Sequence, residues 1–195
     1  MSEPRLRLFV ALDLPPEVRA ELARWCARVA PAGVRHVPAQ NLHVTLAFLG
    51  SRGEHEAAAV AGLLADVAAA CPLGTLATAG ALWLPPRRPG VLTVAIAASA
   101  ERAQQQRDPA DGGLALLRTA LVDALRTAIG FEPERRAFRP HVTVGRVGRG
   151  AHVAAGALDP PPVLAFTPQT LTLYRSLGGP GGARYTALAR APASC

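Results

Sequence analysis

One four-residue pattern occurs twice, as His43-Val44-Thr45-Leu46 and as His141-Val142-Thr143-Val144, each time inside an apolar run. In an extended strand successive side chains leave opposite faces, so each copy presents an imidazole and a hydroxyl on one side and aliphatic groups on the other. In the first copy His43 and Thr45 share a face, and Leu42, Val44, Leu46 and Phe48 share the opposite one. In the second, His141 and Thr143 face outward while Val142 and Val144 face in. Each strand needs a core to rest on, and two of them brought face to face make a symmetric polar site.

The chain has 195 residues, half of them hydrophobic, enough to bury a sizeable core, and its length suits one domain over 1–195 with room for two lobes. Disordered and fibrous classes are excluded. The opening Met1 to Leu14 lacks the charged lead, long apolar stretch and cleavage site of a secretory signal. No apolar run approaches the ~20 residues of a membrane span, so a soluble, cytoplasmic protein with no membrane partner is expected. Three widely spaced cysteines, Cys26, Cys71 and Cys195, argue against a disulfide framework or a paired-cysteine zinc site. The formal charge of +7 points to an anionic partner. Every basic residue is Arg, a bias that reflects GC-rich coding as much as binding, so only arginines near the histidine motifs carry functional weight. No heptad or tandem repeat points beyond a monomer.

Arg5 to Leu12 alternates as a strand, with Leu6, Leu8, Val10 and Leu12 on one face and Arg7, Phe9 and Ala11 on the other. Asp13 with Pro15-Pro16 marks a helix start, the acidic group suiting the positive helix end. That helix carries Val18, Leu22, Trp25, Cys26 and Val29 on one side, and a second, from about Glu54 to Ala70, carries Val60, Leu63, Leu64 and Val67. Strands are predicted near Thr75 to Leu84 and Val91 to Ala97, then a helix near Gly113 to Ile129. The second histidine strand and a Pro-rich loop follow, with closing strands near Thr167 to Leu177 and Arg184 to Arg190. The hairpin-like pairs predict antiparallel α+β architecture. Glu101 to Gly112 is expected to be a mobile surface insert.

Histidine exchanges protons near neutrality, with an unperturbed pKa of ~6.5. Two imidazoles flanking one phosphorus atom can divide the work: one deprotonates a nucleophile while the other protonates the departing oxygen, and neither needs a metal. The threonine hydroxyls suit the non-bridging oxygens, whose charge grows in the transition state. A phosphodiester matches two symmetric donors better than an ester or peptide does. A zinc site is the competing reading, but no second His or Cys lies at ligand spacing beside either motif. No Gly-x-Ser-x-Gly supports serine chemistry, and the Gly178-Gly179-Pro180-Gly181-Gly182 loop lacks the Lys and Ser/Thr of a nucleotide-binding loop. No cofactor is expected.

Strand phase nominates three further residues. Arg139 shares a face with His141 and Thr143 if the strand begins before Pro140, which would aim its guanidinium at a phosphate. Phe9, opposite the aliphatic stripe, either stacks on a base or packs in the core. Tyr174 shares a face with Thr170 and Thr172 and would line the cleft. His36, His55 and His152 have no assigned role.

The stretches Asn41 to Gly50 and Phe138 to Arg146, with the opening Arg7 to Pro15 and the closing Leu171 to Ser176 and Arg184-Tyr185-Thr186, resemble the two-histidine (2H) phosphoesterase superfamily. Within it the chain is most similar to the RNA 2',3'-cyclic phosphodiesterases, formerly called 2'-5' RNA ligases. The resemblance implies a bilobal, pseudo-twofold α+β fold of the LigT-like type, with antiparallel sheets lining a central cleft and helices outside. It implies hydrolysis of an RNA or nucleotide 2',3'-cyclic phosphate to a 2'-phosphate, with His43 as proton donor and His141 as proton acceptor. Thr45 and Thr143 carry over as phosphate ligands. Reversible 2'-5' RNA joining and a non-catalytic RNA-binding role are the alternatives; binding alone would not need two titrating groups.

Overall fold

Alternation and proline punctuation set the elements. The computed structural model describes residues 4–86, 88–98, 112–179 and 182–193. Strand β1 (Leu6–Asp13) leads into helix α1 (Pro16–Val29), whose first turn is fixed by Pro15 and Pro16. Then come β2 (Val34–His36), a short 3-10 turn (Ala39–Asn41), β3 (His43–Arg52) and α2 (Glu54–Ala70). Strands β4 (Leu76–Leu84) and β5 (Val91–Ala98) form a hairpin, followed by α3 (Gly112–Ile129) and β6 (His141–Val147). The chain closes with β7 (Ala165–Phe166), β8 (Thr170–Leu177) and β9 (Arg184–Pro192). No helix among the described residues is long and apolar enough to cross a membrane.

All pairings are antiparallel, and the strands form one nine-stranded sheet in the order β7-β4-β5-β6-β3-β1-β8-β9, with β2 added against β6. The middle joint is the narrowest: β3 and β6 share only the register pair Val44↔Val142, whereas β1 and β3 are paired from Leu6↔Arg52 to Asp13↔His43. Two halves of the sheet therefore meet along the histidine strands. β2 takes up the edge of β6 that β3 leaves, with Arg35 opposite Arg146 and His36 opposite Gly145. Gly145 permits this approach, since a Cβ there would lie 2.6 Å from Val34 Cγ1.

One face of the sheet carries the core. Val10, Leu12, Val44, Val142, Leu171 and Leu173 are buried there with Leu22 and Trp25 of α1, Val60 and Leu64 of α2, and Leu117, Leu121 and Leu125 of α3. Truncating one such leucine to alanine costs about 2–5 kcal/mol. The Trp25 indole N–H donates to Asp159 O at 3.2 Å, pinning the proline-rich loop to α1. Cys26 is buried beside it and donates to Val144 O; burial pushes its thiol up to about 11, so it is an inert core group.

The sequence pattern missed β2 and β7, both too short for a visible alternation. It also misplaced Phe48. Register shifts in the β1–β3 pairing insert extra residues into β3, one between Val10 and Ala11 and one between Leu8 and Phe9. The phase of β3 is broken there, as a bulge requires. Ala47 and Leu49 turn into the core and Phe48 is left 63% exposed. The insert expected at Glu101 to Gly112 lies outside the described residues except for Gly112, which opens α3, and Cys195 lies outside them too.

Candidate active site

The antiparallel pair Val44↔Val142 is the centre of the site. Both valines are fully buried on the core face, so the residues on either side of each, His43 and Thr45 with His141 and Thr143, leave the sheet on the opposite face. The antiparallel run sets His43 beside Thr143 and Thr45 beside His141, related by a local twofold through the valine pair. The two motifs are thus brought together as neighbours in one sheet.

Each imidazole is held in the same way. His43 Nδ1 donates to Asn41 O at 2.8 Å, and His141 Nδ1 donates to Arg139 O at 2.7 Å. A carbonyl only accepts, so Nδ1 keeps its hydrogen in both rings and Nε2 is the nitrogen with a lone pair to offer. His43 Nε2 lies 3.1 Å from Thr45 Oγ1.

The surroundings of the two rings differ. His43 stacks on Phe9 with ring centroids 4.9 Å apart and meets Tyr185 edge-on at 5.4 Å, while Tyr174 stacks on Phe9 at 5.2 Å. Burial in this aromatic wall pushes His43 down to about 4, against the opposing pull of the Asn41 carbonyl and the Asp13 carboxylate. The charges of Arg146 and His141 lower it further.

Asp13 stands directly opposite His43 in the β1–β3 register. Its predicted role at the head of α1 is not what the structure shows: α1 has no side-chain cap. Asp13 Oδ2 instead accepts from the hydroxyls of Thr170 at 2.6 Å and Thr172 at 2.8 Å, and Oδ1 accepts from Tyr174 at 2.6 Å. Arg190 Nε stands 4.0 Å away. This network holds β8 and β1 together under the aromatic wall. Burial and the Asp13 carboxylate push the Tyr174 phenol up to about 12.

Other predicted residues fall as follows. Phe9 is on the site face but only 3% exposed among the other rings, so it supports His43 and offers no face to a base. Tyr174 is on the same side as Thr170 and Thr172, with its hydroxyl committed to Asp13. Arg139 is exposed and touches His141 through its carbonyl; β6 begins at His141, so the phase that would have aimed its guanidinium inward does not extend to it. Four residues of the site were not read from sequence: Asp13, Phe48, Arg146 and Tyr185. Phe48 lies 6.1 Å from Phe9, ring to ring, at the exposed rim of the wall. Among the described residues no group of three or more His, Cys, Asp or Glu side chains could hold a metal ion.

A profile described as LigT-like phosphoesterase matches residues 12–93. The RNA 2',3'-cyclic phosphodiesterase of Escherichia coli K12 is 33% identical over 193 residues, covering 97% of this chain and 97% of that one. The chain belongs to the LigT-like phosphoesterase family. An RNA 2',3'-cyclic phosphodiesterase of Aeropyrum pernix is 32% identical over 65% of each chain. Solved structures match over nearly the whole chain. A Thermus thermophilus protein gives a TM-score of 0.77 at 27% identity, covering 96% of this chain and 98% of that one. Escherichia coli LigT complexed with 3'-AMP gives 0.72 at 28% identity, covering 98% of this chain and all of that one.

Proposed function

We propose that this LigT-like phosphoesterase is an RNA 2',3'-cyclic phosphodiesterase that hydrolyses a terminal cyclic phosphate to a 2'-phosphate without a metal. The observation that supports the reading is the Val44↔Val142 pair, beside which the two His-x-Thr motifs lie as neighbours on the face opposite the core. Curated relatives are named RNA 2',3'-cyclic phosphodiesterase. A phosphoryl group held between the motifs meets an imidazole from each half of the sheet. His141 takes a proton from water as its oxygen attacks phosphorus; the P–O3' bond breaks; His43 protonates O3'. Thr45, Thr143 and Arg146 stabilise the charge on the non-bridging oxygens.

The direction of proton flow follows the family resemblance. Burial favours a neutral His43, so its proton arrives with the substrate: the phosphate anion raises a nearby imidazole's pKa, in the same sense as Asp13. Phe48, exposed at the rim of the wall, is the surface on which the terminal base stacks. The test is incubation with a 2',3'-cyclic nucleotide in the presence of EDTA and assignment of the product by phosphorus NMR. A 2'-phosphate is expected; a 3'-phosphate, no turnover, or loss of turnover on chelation would reject the reading.

A further inference from the structure

The two halves of the sheet differ at one pair of twofold-related positions. Asp13 of β1 stands opposite His43 and Ala95 of β5 stands opposite His141, so each shares a face with the imidazole it neighbours. Val94 and Ile96, on either side of Ala95, are buried in the core, which puts Ala95 on the site face. Directly opposite residues of an antiparallel pair hold their Cβ atoms about 4.5–5.5 Å apart. The Asp13 carboxylate therefore lies within electrostatic reach of the His43 ring, and His141 has a methyl group in the same place.

Asp13 is fixed in that place by the strand on its other side. Its oxygens accept from Thr170, Thr172 and Tyr174 of β8, and its side chain is only 15% exposed. An ionised carboxylate can only accept, and three hydroxyl donors suit that form. Arg190 of β9 stands 4.0 Å away but is 60% exposed, so solvent screens the pair and leaves the Asp13 charge uncancelled at His43. The other titratable or charged groups that act on His43 are the phenols of Tyr174 and Tyr185, with ring centroids 6.1 and 5.4 Å from its own, and His141 and Arg146 of β6, whose charges oppose its protonation. Asp13 supplies the charge of opposite sense. Burial disfavours the charged ring, so a proton donor in this position needs negative charge beside it.

We propose that Asp13 is a positioning residue for protonation of the leaving oxygen: its carboxylate sustains the His43 imidazolium once phosphate is bound, while Ala95 at the twofold-related place lets His141 stay neutral as the base. This rests on the cyclic-phosphate reading of the site. The experiment assays Asp13→Asn on a nucleoside 2',3'-cyclic phosphate and on the analogue whose bridging 3'-oxygen is sulfur. On the oxygen substrate kcat should fall on the order of tenfold at unchanged KM, as a tenfold smaller share of charged ring requires. On the sulfur substrate it should stay at the wild-type level, because a thiolate departs with little need of a proton. Equal losses on both substrates would make Asp13 only a brace between β1 and β8, and wild-type rates on both would remove it from the acid step; either overturns the proposal. Ala95→Asp gives the reciprocal test, with Ala95→Asn as its neutral control. A carboxylate opposite His141 favours the charged ring, which cannot accept a proton, so A95D should lose activity on both substrates while A95N keeps it. Should D13N not fold, equal rates in A95D and A95N overturn the proposal. Should wild type turn over neither substrate, the cyclic-phosphate reading fails by itself, and NMR then reads Asp13 directly: the His43 ring should titrate about one pH unit lower in D13N, and an unmoved midpoint overturns the proposal.

Discussion

His43 and His141 lie in nearly the same four-residue sequence, hold their Nδ1 hydrogens with the same backbone bond, and cross at a shared valine pair. Their neighbourhoods nevertheless diverge. His43 is backed by Phe9 and Tyr185, with a carboxylate opposite in register. Ala95 stands opposite His141, and no ring contacts it among the described residues. A repeated motif therefore supplies paired positions, and the packing behind each one differs: the aromatic wall behind His43 favours its neutral ring, so the acid role proposed for it depends on the charge a bound phosphate brings.

The largest effect expected is on the imidazoles themselves. His43→Ala and His141→Ala should each lower kcat by on the order of 10³-fold with the fold retained by circular dichroism. The variants should then part company. A substrate whose bridging 3'-oxygen is replaced by sulfur needs little protonation to depart, because a thiol's pKa is ~8.5. It should restore turnover to H43A and leave H141A inactive; the opposite pattern would reverse the acid and base. Thr45→Val and Thr143→Val should each cost roughly 10²-fold in kcat, as loss of one transition-state donor does. A much larger loss at one of them would break the twofold.

The aromatic wall makes a prediction on stability. Phe9→Ala should destabilise by about 3–5 kcal/mol in urea titration, because its ring is enclosed. Phe48→Ala should leave stability nearly unchanged and raise KM for a cyclic nucleotide on the order of tenfold, within the ~1–3 kcal/mol of a base stack. Equal effects of the two would refute the division into support and stacking surface.

The smallest effect is a pH dependence. The folded state holds His43 near 4, below its unfolded value of ~6.5, so the unfolded chain binds the extra proton in that window. This group's contribution to stability is present above pH ~6.5 and declines as pH falls toward 4. His43→Gln should therefore flatten the fall of Tm with acid relative to wild type. NMR of the His43 ring should show its titration moving to higher pH when a 2'-nucleotide is bound, and an unmoved midpoint would contradict proton uptake with the phosphate.

The outward phase of both His-x-Thr pairs and the stripes of the three helices were legible because each depends on spacing within one element. Val18, Leu22, Trp25 and Cys26 of α1 are buried as the 3.6-residue period predicts. Phe48 was not legible, since the extra residues in β3 are defined only against β1. Asp13 was read as a helix-end charge because its true partners, Thr170, Thr172 and Tyr174, lie more than 150 positions along the chain. Tyr185 has no local signal at all; it joins the wall only because β9 pairs with β8, where it stands opposite Ser176.

The bonds from Nδ1 to the carbonyls of Asn41 and Arg139 have a consequence for the catalytic cycle. With the rear nitrogen of each ring occupied, neither ring can pass a proton backward into the sheet. On the roles proposed, one turnover would leave the rings with exchanged charge states, and the protons that restore them would have to pass through Nε2 on the open face, so the site would be re-armed from the solvent side and never from behind.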